Sequence, residues 1–510
     1  MGSSRGATMP ATSPVHRAQL SRWTQPGFAK RSVLGLPRCS TTKQESASPK
    51  PVSATDAAPA PSLDTQILSL AVPALGVEVI DPLLSVADAA FVGRLGAAEL
   101  GGLGVASAVF TSCNSLFNFL SNATGPLVAQ ALARDDLTVA KKTTGQALVL
   151  AASLGFSCCT VLHLFGLPIL EAISGGSKEN AGPVLDAAIA YLSIRSWGLP
   201  AGLICRVNGG AFRGLLDTKT PFYVALGANA VNVVLNPFLI FGIGPFPHLG
   251  IEGAALTTVA AEWLAAFAGL YSLSRSRLGI PDVSIPEWSE LQPLLQASLA
   301  LFIRTASLQS VFLLASSTVS HTALLPDGTL DPTQVAAHQI TFQCWMFLSF
   351  FVDSVAVAAQ GLVGDSLGKG DVKKAIKAGD RTLQYGAVLG VVLGISFAFG
   401  KQWLPFVFSE DQGVISTARG VLGIVAFAQP ISGLVFVFDG IFMGAADFEF
   451  VASSVLTACL LGEGLMVLRG GGLVGVWQSL VLVQVARAVG LGLRYWGYLG
   501  GPFVREKESG

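Results

Sequence analysis

Asp81–Gly96, DPLLSVADAAFVGRLG, is the stretch whose reading decides the fold. It is the second half of an apolar segment running from about Ile67 to Val92. Such a segment is long enough to cross a bilayer, which takes ~20 residues. Yet it carries Glu78, Asp81 and Asp88. Asp81 and Asp88 are seven residues apart and fall nearly on one helical face. An acid at the bilayer centre costs at least ~2.5–3.5 kcal/mol, so it faces a protein interior or a water-filled cavity. Pro82 removes one backbone donor and bends the helix beside Asp81. A bent helix with acids on its inner face is expected to be a moving, titrating part. The plainer alternative places Asp88 at the helix end, among headgroups and beside Arg94.

Outward from this stretch, the composition has the same character. The chain has 510 residues, of which 51% are hydrophobic and only 13% charged. Soluble domains carry about 25% charged residues. Apolar runs of ~20 residues recur along nearly the whole chain, so an all-α polytopic membrane protein is expected. The 57 glycines suit close helix packing in lipid. A formal net charge of zero argues against a nucleic-acid partner. Of the seven cysteines, all but Cys39 sit in apolar segments, and no CxxC is present. They read as small buried hydrophobes, with no metal and no redox role.

Residues 1–62 differ from everything after them. No Asp or Glu occurs up to Lys43, while Arg5, Arg17, Arg22, Lys30, Arg31 and Arg38 do, among many Ser, Thr, Ala and Pro. This composition predicts an organellar transit peptide followed by a disordered linker. The Ser, Thr and Pro content favours the plastid over the mitochondrion, and a cytosolic tail is the remaining alternative.

Twelve spans are expected, at roughly 66–92, 100–130, 143–166, 183–206, 221–243, 252–273, 293–320, 333–363, 382–402, 414–437, 440–467 and 473–497. Loops on the N-terminal side carry most of the Lys and Arg, including Arg134, Lys141, Lys142, Arg213, Lys219, Arg275 and Lys369–Arg381. The positive-inside rule then puts both termini in the cytosol or stroma. The chain also repeats. Gln130 to Gln360, Pro200 to Pro430 and Phe212 to Phe442 share one spacing of 230 residues. Two six-helix lobes are expected, an N-lobe over 63–280 and a C-lobe over 281–499, with a tail over 500–510. That is the layout of an alternating-access carrier with its site between the halves.

The motifs carry a family resemblance. DPLLSVADAAFVGRLGAAEL from Asp81, YLSIRSWGLPAGLICRVNGGAFRGLLDTKTP from Tyr191, VAAHQITFQCW from Val335 and FDGIFMGAADF from Phe438 occur in order and at fitting spacing over about residues 65–497. The chain resembles the MATE (multidrug and toxic compound extrusion) transporters, in particular the DinF-like and plant citrate-type branch. The resemblance implies a twelve-helix, two-lobe antiporter that exports an organic small molecule in exchange for H⁺ or Na⁺, with no other cofactor. It implies an N-lobe coupling site in which Asp88 is the first-span acid. Asn232-Val233-Val234-Leu235-Asn236-Pro237 matches the fifth-span motif, and Gly253–Thr258 matches the sixth-span motif and adds Thr258. The family's usual acid before the proline is Asn236 here, and an amide cannot titrate. Asp88 is left to carry the coupling charge alone or with Asp81 or Glu78. Protonation would remove its charge and let the bent helix repack. A sodium ion held by Asp88 and the carbonyl oxygens of Asn232 and Asn236 is the rival.

Glu262, Asp353, Asp439 and Glu463 are grouped as C-lobe acids. Asp353 and Asp439 are expected to pair with Arg304, Arg195 or Arg206 as buried structural charges, the alternative being arginines that bind an anionic substrate in the cleft. The seventh span carries Arg304 and no acid, so a C-lobe cation site of the kind other branches use is not expected. His338 reads as a packing hydrogen-bonder, with a proton relay as the alternative. Hydrolase and metalloprotease motifs are absent from the sequence, and GDSLGKGD from Gly364 lacks the spacing of a phosphate loop. The energy source is therefore expected to be an ion gradient. Lys369–Arg381 reads as a solvated loop. The protein is expected to work as a single chain in the plastid envelope or another membrane. A lipid-linked precursor flippase and an intramembrane enzyme are the competing functions.

Overall fold

A computed structural model describes residues 61–174, 182–283, 288–322, 332–469 and 472–503. The transit-peptide reading falls on 1–62 and so lies almost entirely outside the described residues. Among those residues the secondary structure is helical, and 12 helices are long and apolar enough to cross a membrane. In chain order they are span 1, Leu63–Val92; span 2, Ala98–Ala133; span 3, Leu137–Glu171; span 4, Gly182–Gly214; span 5, Lys219–Phe241; and span 6, Ile251–Arg275. The second set is span 7, Leu295–Val319; span 8, Thr333–Gly368; span 9, Val372–Gly400; span 10, Gln412–Gly444; span 11, Phe448–Arg469; and span 12, Gly472–Tyr495. Large apolar side chains face outward, Phe427 at 80% and Leu468 at 85% exposure, which only a lipid surroundings makes tolerable.

The two sets pack by the same rule. Span 1 packs on 5, 2 on 4, 3 on 4, 4 on 6 and 5 on 6. In the second set 7 packs on 11, 8 on 10, 9 on 10, 10 on 12 and 11 on 12. The lobes meet through spans 1 and 2 against span 8, and span 2 against span 7. Even the turn geometry repeats. Leu216 after span 4 and Ala446 after span 10 both take left-handed backbone, at φ 58° and 56°. Each is followed by an aspartate whose N–H closes the turn, Asp217 on the Phe212 carbonyl at 2.9 Å and Asp447 on the Phe442 carbonyl at 3.0 Å. Non-glycine residues rarely adopt that conformation, so its recurrence at the 230-residue spacing is strong evidence of a true repeat.

Two spans are broken. Span 2 turns at Phe117–Asn118, where the Arg206 guanidinium from span 4 donates to the side-chain oxygens of Asn114, at 3.4 Å, and Asn118. Span 4 tightens into a 3₁₀ turn at Ser196–Gly198. Pro200 cannot donate to the Ser196 carbonyl, so the Leu199 N–H takes it from one residue nearer. Span 1 holds Pro73 and Pro82 within a continuous helix of 30 residues.

Several expected boundaries change. Span 9 begins at Val372, not 382, so Lys373, Lys374, Lys377 and Arg381 lie on its first turns and not in a solvated loop. Asp371 caps that start, accepting from the Lys374 N–H at 2.9 Å. The charge density of these turns hid the helix from a hydropathy reading. Span 10 continues to Gly444, so Phe438–Gly444 belongs to span 10 and not to span 11. Arg213 closes span 4 and is not a loop residue. The expected C-terminal tail starts inside the fold, since Phe503 is buried with its ring centroid 5.1 Å from Tyr495 and 5.8 Å from Phe442.

Candidate functional site

The N-lobe site is built from spans 1, 5 and 6. Asn232 and Asn236 are four residues apart on span 5 and so present their amides from one face. Span 1 brings Asp88 against that face. The Asn236 Nδ2 donates to Asp88 Oδ1 at 2.7 Å and to Asn232 Oδ1 at 2.9 Å. The Asn232 Nδ2 donates to the Thr258 hydroxyl at 3.1 Å. From the neighbouring position, the Thr257 hydroxyl donates to Asn236 Oδ1. Asp88 is 8% exposed, and Asn232, Asn236 and Thr257 are fully buried. Asp88 is therefore an acid buried among side chains of spans 5 and 6 and not a solvated partner of Arg94. It sits four residues before the end of span 1, inside the lobe.

Four of the five expected coupling residues, Asp88, Asn232, Asn236 and Thr258, meet in this one network. Thr257 was not foreseen, although its register on span 6, one residue before Thr258, would have placed it next to the span 5 amides. Asp81 stands apart. Its side chain is exposed in the isolated chain, yet it is within electrostatic reach of Arg206 and Arg195. It takes no part in the Asp88 hydrogen-bond network.

Arg195 lies within electrostatic reach of Asp88, but it is already committed. Arg195 forms a two-pronged pair with Glu262 at 2.6 and 2.7 Å and lies 3.6 Å above the Phe110 ring centroid. Glu262 thus belongs to span 6 of the N-lobe, which corrects its grouping with the C-lobe acids. Asp88 itself keeps only neutral hydrogen-bond partners.

Between the lobes the charges are less paired. Arg206 is held by the two span 2 asparagines and Arg213 by the Ser121 hydroxyl, and the Arg213 Nε is buried without a partner. Glu78 lies within electrostatic reach of Arg213, Asp353, Asp81 and Arg206. Among the described residues, no hydrogen bond or ion pair ties down the carboxylates of Glu78, Asp81 or Asp353. The expected structural pairing of Asp353 with an arginine therefore does not form as a direct contact.

The C-lobe holds the opposite arrangement. Asp439 on span 10 is clamped by Arg304 of span 7 at 2.6 Å and by Arg487 of span 12 at 2.5 Å. Gln484 accepts a further bond from Arg487 at 2.8 Å. The Arg304–Asp439 pair was expected, and Arg487 was not considered. Glu463 accepts from Ser310 at 2.7 Å. His338 is buried, with Nε2 3.3 Å from the Ser316 hydroxyl and its ring 5.8 Å from Trp477. That is a packing environment, and among the described residues the other ring nitrogen has no hydrogen-bond partner. Among the described residues no group of three or more His, Cys, Asp or Glu is placed to hold a metal ion.

Comparison with known proteins follows this geometry. The MatE family profile matches residues 73–238 and again 306–466, one match in each lobe. The chain is 33% identical over 437 residues to the Arabidopsis thaliana protein DETOXIFICATION 44, chloroplastic, covering 83% of this chain and 80% of that one. It is 29% identical over 448 residues to DETOXIFICATION 45, chloroplastic, of the same plant, covering 83% and 77%. Among solved structures, a crystal structure of MATE in the bent conformation superposes with a TM-score of 0.76 at 20% identity, covering 86% of this chain and 95% of that one.

Proposed function

Because this chain belongs to the MatE family of efflux transporters and is not an enzyme, we propose that it exports an organic solute in exchange for H⁺, with Asp88 as the coupling acid. The observation that carries this reading is the buried Asp88 carboxylate, held by the neutral amide of Asn236 with the Thr258 hydroxyl beside it and, among the described residues, with no cation in contact. A buried carboxylate without a counter-ion in contact is costly, and a proton removes that cost. Proton loss and gain would then change how span 1 packs against span 5. The sodium alternative is less well supported. The amide oxygens of Asn232 and Asn236 already accept hydrogen bonds, from Asn236 and Thr257, and the group aimed at Asp88 is an N–H donor. A hard cation needs converging oxygens instead.

In this reading the substrate is a drug-like compound or an organic acid, held in the cleft between lobes 63–280 and 281–499. Glu78, Asp81, Asp353, Arg206 and Arg213 line that cleft. The plastid envelope is the proposed membrane, supported by the basic, acid-free N-terminus and by relatives named chloroplastic. Both termini face the stroma or cytosol, and one chain is sufficient for transport.

The test is reconstitution in liposomes with a pH gradient and a Na⁺ gradient imposed separately, against a panel of labelled organic acids and cations. Wild-type uptake driven by the pH gradient, lost in Asp88→Asn and kept in Asp81→Asn, is the expected result. Wild-type rates from Asp88→Asn under both gradients would remove Asp88 from the coupling role.

A further inference from the structure

The repeated Ala-Gln tract, Gln130 in span 2 and Gln360 in span 8, takes no part in the Asp88 network. Each glutamine instead reaches into the opposite lobe. The Gln130 Nε2 donates to the Gly444 carbonyl at the end of span 10, at 3.3 Å, and the Gln360 Nε2 donates to the Asn122 carbonyl in span 2, at 3.4 Å.

Both acceptors are carbonyls that their own helices leave short of a donor. Pro126 stands four residues after Asn122, where the helix would supply an N–H, and proline has none. Gly444 is the last residue of span 10, so its carbonyl is one of the end groups with no donor within the helix. At this seam each lobe thus offers a carbonyl short of its own donor, and the glutamine of the other lobe fills it.

The backbones here are close enough for no side chain to intervene. A β-carbon on Gly368 of span 8 would lie 2.8 Å from the Gln130 Cα of span 2, and one on Gly361 of span 8 would lie 3.5 Å from the Arg213 carbonyl oxygen of span 4. Within the C-lobe, a β-carbon on Gly444 would collide with the Gln360 carbonyl, so the helix end that offers the acceptor lies directly against span 8. At the same end of the bundle, the end rich in lysine and arginine, Arg381 of span 9 grips Asp64 of span 1 with bonds of 2.6 and 2.9 Å.

We propose that Gln130 and Gln360 form a reciprocal latch that holds the lobes together at the basic end and releases when the cleft opens there. The proposal rests on the antiport reading above, because alternating access requires this seam to part. The latch is polar for a physical reason. When the lobes separate, water enters and hydrates both amides and both carbonyls, so the bonds exchange partners at small net cost.

Hydrogen exchange on the full chain in lipid nanodiscs tests this without substrate or gradient. Gln130→Met and Gln360→Met keep side-chain length and remove the donor. The double variant is expected to exchange about threefold to tenfold faster in peptides covering 126–138 and 360–374, with 88–103 at the opposite end unchanged. Pro126→Ala leaves both glutamines in place and gives the Asn122 carbonyl a donor inside its helix; it is expected to speed the same peptides about twofold through competition for one acceptor. Unchanged exchange at the seam in the double variant overturns the latch, and so does a uniform rise at both ends, which makes the glutamines ordinary packing residues. Exchange does not depend on coupling. A failed latch leaves the Asp88 assignment intact, and an Asp88→Asn protein that cannot transport still reports on the latch.

Discussion

The two lobes are built to the same packing plan and treat their buried acid in opposite ways. In the N-lobe, Asp88 meets one amide donor, Asn236, while the nearby Arg195 is tied to Glu262. In the C-lobe, Asp439 is gripped by Arg304 and Arg487 together. An acid held by neutral groups can lose its charge with modest loss of contacts. An acid held by two guanidinium groups cannot, because protonation would leave two buried cations facing a neutral group. The repeat therefore supplies one lobe suited to a change of state and one suited to remaining fixed. The difference between the lobes lies in the acid's partners, not in the presence of an acid.

The comparison breaks most visibly at Asp88. Asp88→Asn is expected to cut pH-driven uptake by at least about a hundredfold, the loss that follows from removing the only titrating member of the network. Its unfolding temperature is expected to stay near that of wild type, since an amide replaces a carboxylate among amide and hydroxyl partners. Asp439→Asn should do the reverse. It leaves the Arg304 and Arg487 guanidinium groups buried without their counter-charge, and breaking a buried charge cluster in this way costs about 3–5 kcal/mol. A large fall in thermal stability, read by tryptophan fluorescence in detergent, is the expected result. If Asp439→Asn instead leaves stability unchanged and abolishes only coupling, the division of labour between the lobes is wrong. Asn236→Asp sharpens the same contrast. It gives Asp88 a second carboxylate within hydrogen-bonding distance and so an additional oxygen ligand for a hard cation. A measurable Na⁺-driven component of uptake, weaker than the wild-type H⁺-driven one, is expected; its absence would count against a choice of ion set by the Asn236 amide.

Much of the fold was legible because membrane spans leave a coarse signal. Apolar runs, basic loops and the 230-residue repeat predicted twelve spans in two lobes. Boundaries were lost where charge sits on a helix, as at Lys373–Arg381 on the first turns of span 9, and where Asp439-Gly440 mimics a break inside span 10. The misplacement of 438–444 also hid that Gly444 ends a helix and needs a donor. At the site, residue spacing alone left Asp88 open between a headgroup acid and a buried one. Motif resemblance brought in Asn232, Asn236 and Thr258. The Asp439–Arg487 pair joins residues 48 positions apart on different spans, and no local pattern marks such a partner. The Asn122 carbonyl was different. Pro126 four residues later announces an unfilled acceptor in any helix, and only the identity of its donor needed the fold.

The smallest expected effect tests the residue that motif matching missed. Thr257 donates to Asn236 Oδ1, the side of the amide that faces away from Asp88. That bond fixes which way the amide points. With the oxygen engaged by Thr257, the Nδ2 is directed at Asp88. Thr257→Val keeps the shape and removes the hydroxyl, so that only the Nδ2 bonds to Asp88 and Asn232 still hold the amide against turning its oxygen toward the acid. One neutral hydrogen bond is worth about 0.5–1.5 kcal/mol, so pH-driven uptake should fall only about twofold to tenfold. Thr257→Ser, which restores the hydroxyl, should recover most of it. A structural role for Thr257 would lower stability in both variants without this difference. An amide that turns its oxygen toward Asp88 would also make the site more hospitable to a cation, so Thr257→Val should be the second variant, after Asn236→Asp, in which a Na⁺ gradient begins to drive uptake.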